Sequence, residues 1–411
     1  MVKAGYKQTE VGEIPEDWEA TPLGALLRIK HGKSQKLVES SDGDYPILAT
    51  GGEIGRAKDP LYSKPSVLIG RKGTIDVPYY MDTPFWTVDT LFYSEISYRA
   101  DAKFMFYKFQ LIDWYKYNEA SGVPSLSATT IEKIIQATPK ERFEQEAIAN
   151  TLSDVDALIV SLEKLIEKKR DIKTATMQQL LTGKKRLPGF GEGKGTKQSE
   201  LGEIPEDWDV RKYGDTFAFL STANNSRADL NEDGDVEYIH YGDIHTKLHF
   251  NLDLERQTLP KIDRNKLRNP AFIADGDVVM ADASEDYEGI GKSIEISNVG
   301  TRRVVSGLHT FLLRDTEKRY ANGFRGYLHS IPAIKCAFDT LATGLKVYGL
   351  SKNSLKSVSI PVPPFDEQVE IVKVISCMDD ELHLLEEKLS KAKAIKQGMM
   401  QELLTGRTRL V

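Results

Sequence analysis

The sequence predicts a mixed α/β (α+β) chain. Two globular modules are joined by two long helices that form an antiparallel intramolecular coiled coil, with a pseudo-two-fold internal repeat. Three observations predict this. Residues 10–18 read Glu-Val-Gly-Glu-Ile-Pro-Glu-Asp-Trp and residues 200–208 read Glu-Leu-Gly-Glu-Ile-Pro-Glu-Asp-Trp, identical at eight of nine positions at an offset of 190. Residues 178–187, Gln-Gln-Leu-Leu-Thr-Gly-Lys-Lys-Arg-Leu, return as Gln-Glu-Leu-Leu-Thr-Gly-Arg-Thr-Arg-Leu at 401–410, an offset of 223. Between these markers lie two apolar patterns of matching period. A fixed internal repeat is the first feature to seek in a sequence, because it organises everything else.

The first module spans residues 1–140. Short strand-like runs at Tyr45–Leu48, Val67–Ile69, Val77–Tyr80 and Thr90–Tyr93 are broken by Gly, Pro and Asp, and a helical stretch follows at Lys103–Tyr115. A helix is then predicted within 141–187. Ile148, Leu152, Val155, Ile159, Leu162 and Ile166 step by four and three, the period of a coiled-coil seam. It starts near Glu144-Gln145, after Pro139, and ends at Thr182-Gly183, with Gly as the cap. Residues 188–199 hold alternating glycines with no strand before them. They form a linker, because a phosphate-cradling loop needs strand, turn and helix together.

The second module spans 200–363, with strands expected at Val236–His240, Asp277–Met280, Ser293–Ile296 and Thr310–Leu313 and a helix at Tyr320–Thr340. Its helix, within 364–411, repeats the seam at Ile371, Ile375, Met378, Leu382, Leu385 and Leu389, each 223 residues after its counterpart. About 38 residues at ~1.5 Å rise make a rod of ~57 Å. Either orientation satisfies the periodicity. Antiparallel pairing is the expectation, since it would put one module at each end. A shared frame around divergent modules suggests two binding units of different specificity.

Composition narrows the class. With 40% hydrophobic and 28% charged residues, the 411-residue chain is not disordered throughout. No apolar run reaches the ~18 residues of a membrane helix. Residues 1–10 lack the apolar core of a signal peptide. The two cysteines, Cys336 and Cys377, make neither a disulfide framework nor a zinc site. A cytoplasmic protein is expected. The net charge of −6 argues against nonspecific coating of nucleic acid but leaves room for a local basic groove.

Catalytic motifs are missing. There is no ATP-binding GxxxxGK[ST] loop and no convincing nuclease carboxylate set. Val362-Pro-Pro-Phe365 has the prolines and aromatic of an adenine methyltransferase motif but lacks its polar first residue, and sits at a predicted helix start. His240, His245 and His249 are spaced by five and four with no completing carboxylates, so they read as polar loop residues and not as metal ligands.

The two GEIPEDW openings, the paired heptad helices ending in Leu-Leu-Thr-Gly and the Pro363-Pro-Phe-Asp-Glu-Gln368 start together resemble the specificity (S) subunit of type I restriction–modification systems, over nearly the whole chain. The stretches 69–75, Ile-Gly-Arg-Lys-Gly-Thr-Ile, and 238–244, Tyr-Ile-His-Tyr-Gly-Asp-Ile, agree with it. The first half departs from the pattern, with Pro139-Lys-Glu-Arg-Phe143 in place of the Pro-Pro-Phe start. The resemblance implies that 1–140 and 200–363 are target recognition domains, each reading one half of a split sequence in double-stranded DNA. The helices would set the gap. It implies two adenine-N6 methyltransferase subunits carrying S-adenosylmethionine, and restriction (translocase/nuclease) subunits using ATP and magnesium. This chain itself would hold no cofactor and catalyse nothing. The rival reading is a coiled-coil scaffold that joins two protein ligands without DNA.

Given that resemblance, candidate DNA contacts follow from side-chain chemistry. In the first module they are Lys33, Ser34, Gln35 and Lys36, then Arg56, and Arg71 with Lys72. In the second they are Asn224, Asn225 and Arg227, then Tyr241, His245 and Lys292, and Arg302 with Arg303. Arg and Lys suit guanine O6/N7, and Asn and Gln suit adenine N6/N7. Residues 1–140 carry 17 basic against 18 acidic residues and 197–363 carry 21 against 25. Weak binding by this chain alone is therefore expected. Trp18 and Trp208 share a frame position and should pack, not read bases.

Overall fold

The computed structural model describes residues 2–410. The chain divides into two compact units, one made of Met1–Leu165 with Leu385–Val411, the other of Ile166–Leu384.

The first unit opens with a hairpin, Tyr6–Thr9 against Gly12–Pro15. Trp18–Pro22 then pairs antiparallel with Ile135–Pro139, closing the module on itself. Between them lies a four-stranded antiparallel sheet in the order Leu27–Lys30, Leu91–Ile96, Ser66–Gly70, Tyr79–Met81. A three-stranded sheet pairs Tyr45–Ala49 with Gly52–Ala57 and, in parallel, with Trp86–Thr87. The core gathers Leu27, Val67, Ile69, Phe92, Phe104 and Trp114 with Leu152 and Leu403 from the long helices and Leu404 just past the second.

The second unit repeats the closure, with Thr196–Ser199 against Gly202–Pro205 and Asp209–Lys212 against Ser359–Val362. Its five-stranded sheet runs Phe217–Leu220, Thr310–Asp315, Val278–Ala281, Ser293–Ser297, Asn251–Asp253. A smaller sheet joins Lys261–Ile262, Val236–Ile239 and Val304–Ser306. Met177, Leu180, Ile371 and Ile375 of the long helices pack into its core beside Tyr213, Phe324 and Phe338.

Both long helices, Arg142–Leu180 and Phe365–Leu403, have 39 residues. Ile148, Leu152, Ile159, Ile166, Ile371, Ile375, Leu382 and Leu385 are buried, while Val155, Leu162, Met378 and Leu389 are half-buried. In the first unit Lys396 pairs with Asp156 at 2.7 Å and Lys393 with Glu163 at 2.7 Å. In the second Lys169 pairs with Glu381 at 2.7 Å, and Lys173 with Asp379. In both units one residue number rises as its partner's falls, so the helices are antiparallel. Each helix proper stops three residues before the expected glycine, in a turn that places Gly183 at φ +69° and Gly406 at φ +76°. A Cβ on Gly183 would strike Pro205 and one on Gly406 would strike Pro15, so only glycine fits where the turn meets the GEIPEDW motif.

The same joint is built twice. Arg409 donates to both Asp17 carboxylate oxygens at 2.8 Å and to Glu144. Arg186 does the same with Asp207, at 2.9 and 3.0 Å, and with Glu367. Those glutamates accept from the indole N–H groups of Trp18 and Trp208, both fully buried. The next residues, Gln145 and Gln368, donate to the carbonyls of Pro139 and Pro363 and accept from the backbone N–H of Asp101 and Ala321. The altered start of the first helix leaves this joint intact.

Three expectations are corrected. Tyr320–Thr340 is not one helix but a 3-10 turn at Arg325–Ser330 and a helix at Pro332–Leu341. Pro332 forces Ile331 into extended backbone, which breaks the run. The Lys103–Tyr115 stretch is a helix only over Ala102–Leu111, because Ile112 turns extended before a 3-10 turn at Trp114–Tyr117. The strand expected at Val77–Tyr80 is Tyr79–Met81, beyond Pro78.

Candidate nucleic-acid interface

In the first unit the loop after Leu27–Lys30 carries Lys33, Ser34, Gln35 and Lys36. Lys33 N donates to Thr87 O at 2.8 Å and its own carbonyl accepts from the Trp86 indole at 2.8 Å. Gly32 lies so close that a Cβ would fall 2.1 Å from Val88 O, so this glycine lets the loop press onto the 86–90 segment. The Gln35 carbonyl accepts from Val38 N and Glu39 N, a tight turn that leaves Lys33, Ser34 and Lys36 exposed. Arg71 is held on the same segment, its N–H on Thr90 O at 2.8 Å and its guanidinium on Asp89 at 2.7 Å. Arg56 donates to the Asp44 carbonyl and pairs with Glu53, and its own carbonyl accepts from Ser40 N. Bonds to the 86–90 segment thus hold Lys33, Arg71 and Lys72, while Arg56 is tied to the end of the 33–40 loop through Ser40 N.

In the second unit the candidates fall into two groups. Arg227 pairs with Asp243 at 3.0 Å and contacts His240 Nδ1 at 3.3 Å. The Tyr241 ring lies 6.0 Å from His245, whose Nε2 meets the Ala283 carbonyl at 2.9 Å. Lys292 is turned inward onto the His245 carbonyl at 3.0 Å, and burial lowers its pKa. Arg302 binds Glu237 and the Gln257 carbonyl, with Arg303 exposed beside it, which forms a separate group. Asn224 is exposed, whereas Asn225 is tied down by the Tyr238 hydroxyl on its carbonyl and by its own amide on Lys266 O.

Sequence reasoning missed the centre of the first group. His309 lies 5.5 Å from Tyr241 and places Nδ1 3.3 Å from Asp282 Oδ1. Its φ of +56° is a conformation few side chains adopt. Burial raises the Asp282 carboxyl pKa, and the adjacent His309 opposes that shift. His240 lies outside regular structure, as expected, but is buried and caps the short helix Tyr241–Thr246 by accepting from Gly242 N at 3.0 Å. Burial and then Arg227 lower its pKa, while Asp243 opposes the shift. Among the described residues no group of His, Cys, Asp and Glu could hold a metal ion. No helix among them is long and apolar enough to cross a membrane. The result is two dissimilar polar surfaces on one duplicated frame, one lysine-rich and one built of imidazole, phenol and guanidinium.

The type I restriction modification DNA specificity domain family matches residues 15–173 and 205–394, and the chain belongs to that family as a type I restriction–modification specificity subunit. It is 25% identical over 429 residues to the type I restriction enzyme MjaVIII specificity subunit of Methanocaldococcus jannaschii, covering 98% of this chain and 96% of that one. Its fold is similar to a crystal structure of a type I restriction–modification S subunit from M. genitalium, with TM-score 0.58 at 16% identity, covering 94% and 96% of the two chains. A chain from a structural study of type I R-M complex assembly and conformational transition gives TM-score 0.56 at 14% identity, covering 96% of this chain and 99% of that one.

Proposed function

We propose that this subunit reads a bipartite target in double-stranded DNA, one half-site per unit. The two 39-residue helices set the unread gap. The observation that carries this is the pairing of sameness and difference. The Arg–Asp–Glu–Trp joint is repeated residue for residue, while the loops above it share no side-chain pattern. A frame kept constant under unlike polar surfaces suits two readers of unlike sequences.

The subunit also scaffolds two adenine-N6 methyltransferase subunits and the restriction subunits. S-adenosylmethionine, ATP and magnesium belong to those partners, and this chain does no chemistry of its own. The complex works in the cytoplasm. The long helices offer apolar side chains for docking outside their shared seam. These are Leu158 and Leu165 in the first unit, seven residues apart and exposed, and Ile172 and Leu384 in the second.

The test is selection from a random duplex library with this chain co-purified with its methyltransferase subunit. Two fixed half-sites around a constant gap are expected. A single contiguous motif would mean that only one unit reads DNA. No enrichment from a stable complex would favour a protein scaffold without DNA.

A further inference from the structure

Each unit carries a hydrogen-bonded tip with apolar side chains at its apex. In the first unit the tip is residues 119–125. Glu119 N donates to Ser125 O at 2.9 Å, and the Asn118 side chain bonds Ala120 O, Ala120 N and Ser125 N. In the second it is residues 343–349. Thr343 and Gly349 exchange two backbone bonds, of 3.0 and 2.8 Å. Gly344 has φ +141°, and a Cβ there would fall 1.9 Å from Val347 O, so a tight turn is locked in place.

Both tips rest on the residues that follow an inner strand of the main sheet. In the first unit Ser125 bridges Lys72, Gly73 N donates to Pro124 O and Leu126 N donates to Arg71 O. In the second Tyr348–Gly349 pairs with Ala283–Ser284, and Leu350 N donates to Asp282 O at 2.8 Å. After each tip a buried leucine, Leu126 or Leu350, leads to a serine-capped helix.

Val123 at the first apex is 65% exposed. At the second, Leu345 is 98% and Val347 56% exposed. The bonds beneath hold these side chains outward, so they are presented to solvent and not left in a slack loop. Whatever docks on Arg71 and Lys72, or on the Tyr241–His309–Asp282 cluster, meets the tip bonded to the same backbone. Lys72 and Lys346 flank the apices, and neither makes an ion pair among the described residues, which suits a polyanion. Glu285, Asp286 and Glu288 lie on the loop beneath the second tip, so phosphate attraction there is weak. What that tip offers DNA is apolar contact. Val, Leu and similar side chains have no donor or acceptor for a base edge, but such apolar wedges can part stacked bases.

We propose that Val123 in one unit, and Leu345 with Val347 in the other, are apolar wedges that enter the groove of each half-site and unstack one base step. This rests on the DNA-reading function proposed above. The two loops would then supply a grip common to both half-sites, beside the residues that differ between them.

The experiment uses the complex with the methyltransferase subunit and a duplex carrying the selected target, with 2-aminopurine placed at successive positions. With the unaltered protein, fluorescence should rise at one step in each half-site other than the target adenine, which the methyltransferase itself flips out. Val123→Ser should abolish the rise in the first half-site only, and Leu345→Ser with Val347→Ser in the second only. Each should weaken binding about ten- to hundred-fold, with preferred sequence and salt dependence unchanged. Thermal melting of the variants checks that these exposed substitutions leave the fold intact. If the unaltered complex selects its target but no position beyond that adenine brightens, or if the variants brighten and bind normally, the wedge falls and the DNA-reading function stands. If the variants fail to co-purify with the methyltransferase subunit, the tips are protein docks and the wedge falls again. If the unaltered complex selects no sequence, both readings fall.

Discussion

Lys108 is the residue whose surroundings fit it least. It is 3% exposed, and its ammonium donates to the Leu404 carbonyl at 2.9 Å. Burial lowers its pKa to about 7. The duplicated frame supplies a control. Phe104, Tyr107 and Lys108 correspond to Phe324, Tyr327 and Leu328, all buried, so the second unit uses leucine at that place. The unfolded lysine keeps its proton up to its ordinary value of 10.5, whereas the folded one loses it near 7. The unfolded chain therefore binds more protons between those values, and the first unit should gain stability as pH rises through that window. Lys108→Leu should raise its stability at pH 7 by about 1–4 kcal/mol and remove that slope. Calorimetry at several pH values measures both.

The joint residues make the opposite case. Arg409→Met leaves Glu144 buried without its cation, at a cost of about 3 kcal/mol in the first unit, and Arg186→Met should do the same in the second. Two calorimetric transitions, each shifted by one substitution only, would be the result. In acid, the hydrogen bonds from Arg186 hold the Asp207 carboxyl down at about 2. Stability from this pair is complete above the ordinary carboxylate value and fades as pH falls through about 2. The buried tryptophans were legible because they recur at one frame position. The arginines recur just as plainly, but their partners lie 265 and 392 positions away for Arg409, a distance no local pattern reveals. His309 and Asp282 gave no signal either, since a left-handed histidine facing an aspartate 27 residues upstream follows no spacing rule.

At the scale of elements, the long helices were the most readable part, because a seven-residue apolar period has few other outcomes. The short strands were mostly located to within a residue or two, since each is an apolar run between glycines and prolines. Missed were the paired strands that close each module, Trp18–Pro22 with Ile135–Pro139 and Asp209–Lys212 with Ser359–Val362. Their partners are far apart and their sequences do not alternate. The helices carry their own prediction. Seven residues inserted at matching points in both should lengthen the preferred gap by about 10 Å, roughly three base pairs, and leave both half-sites unchanged. The same insertion in one helix alone should mismatch Lys393–Glu163 or Lys169–Glu381 and lower the melting temperature. Library selection and melting curves distinguish the two.

For the whole molecule, charge sets the expectation. The chain is acidic overall, with 55 basic against 61 acidic residues, so little of its affinity can come from neutralising phosphates by itself. Alone it should bind its target at least ten-fold more weakly than with its methyltransferase subunit, by fluorescence anisotropy at matched salt. Exchange of residues 31–44 for the corresponding loop of a relative with a different target should alter the first half-site and leave the second alone.

The two units also differ in when they are complete. The second is continuous in sequence, from Ile166 to Leu384. The first counts Met400, Leu403 and Leu404 in its core, and Arg409 on Asp17 in its joint. It therefore cannot close until residues 400–409 leave the ribosome. At ordinary elongation rates its first 165 residues wait roughly 10–50 s with an unfinished apolar face. Of the two units, the one begun earlier is thus the one finished later. A chain cut after residue 399 would carry one sound unit and one that still lacks its closing strip.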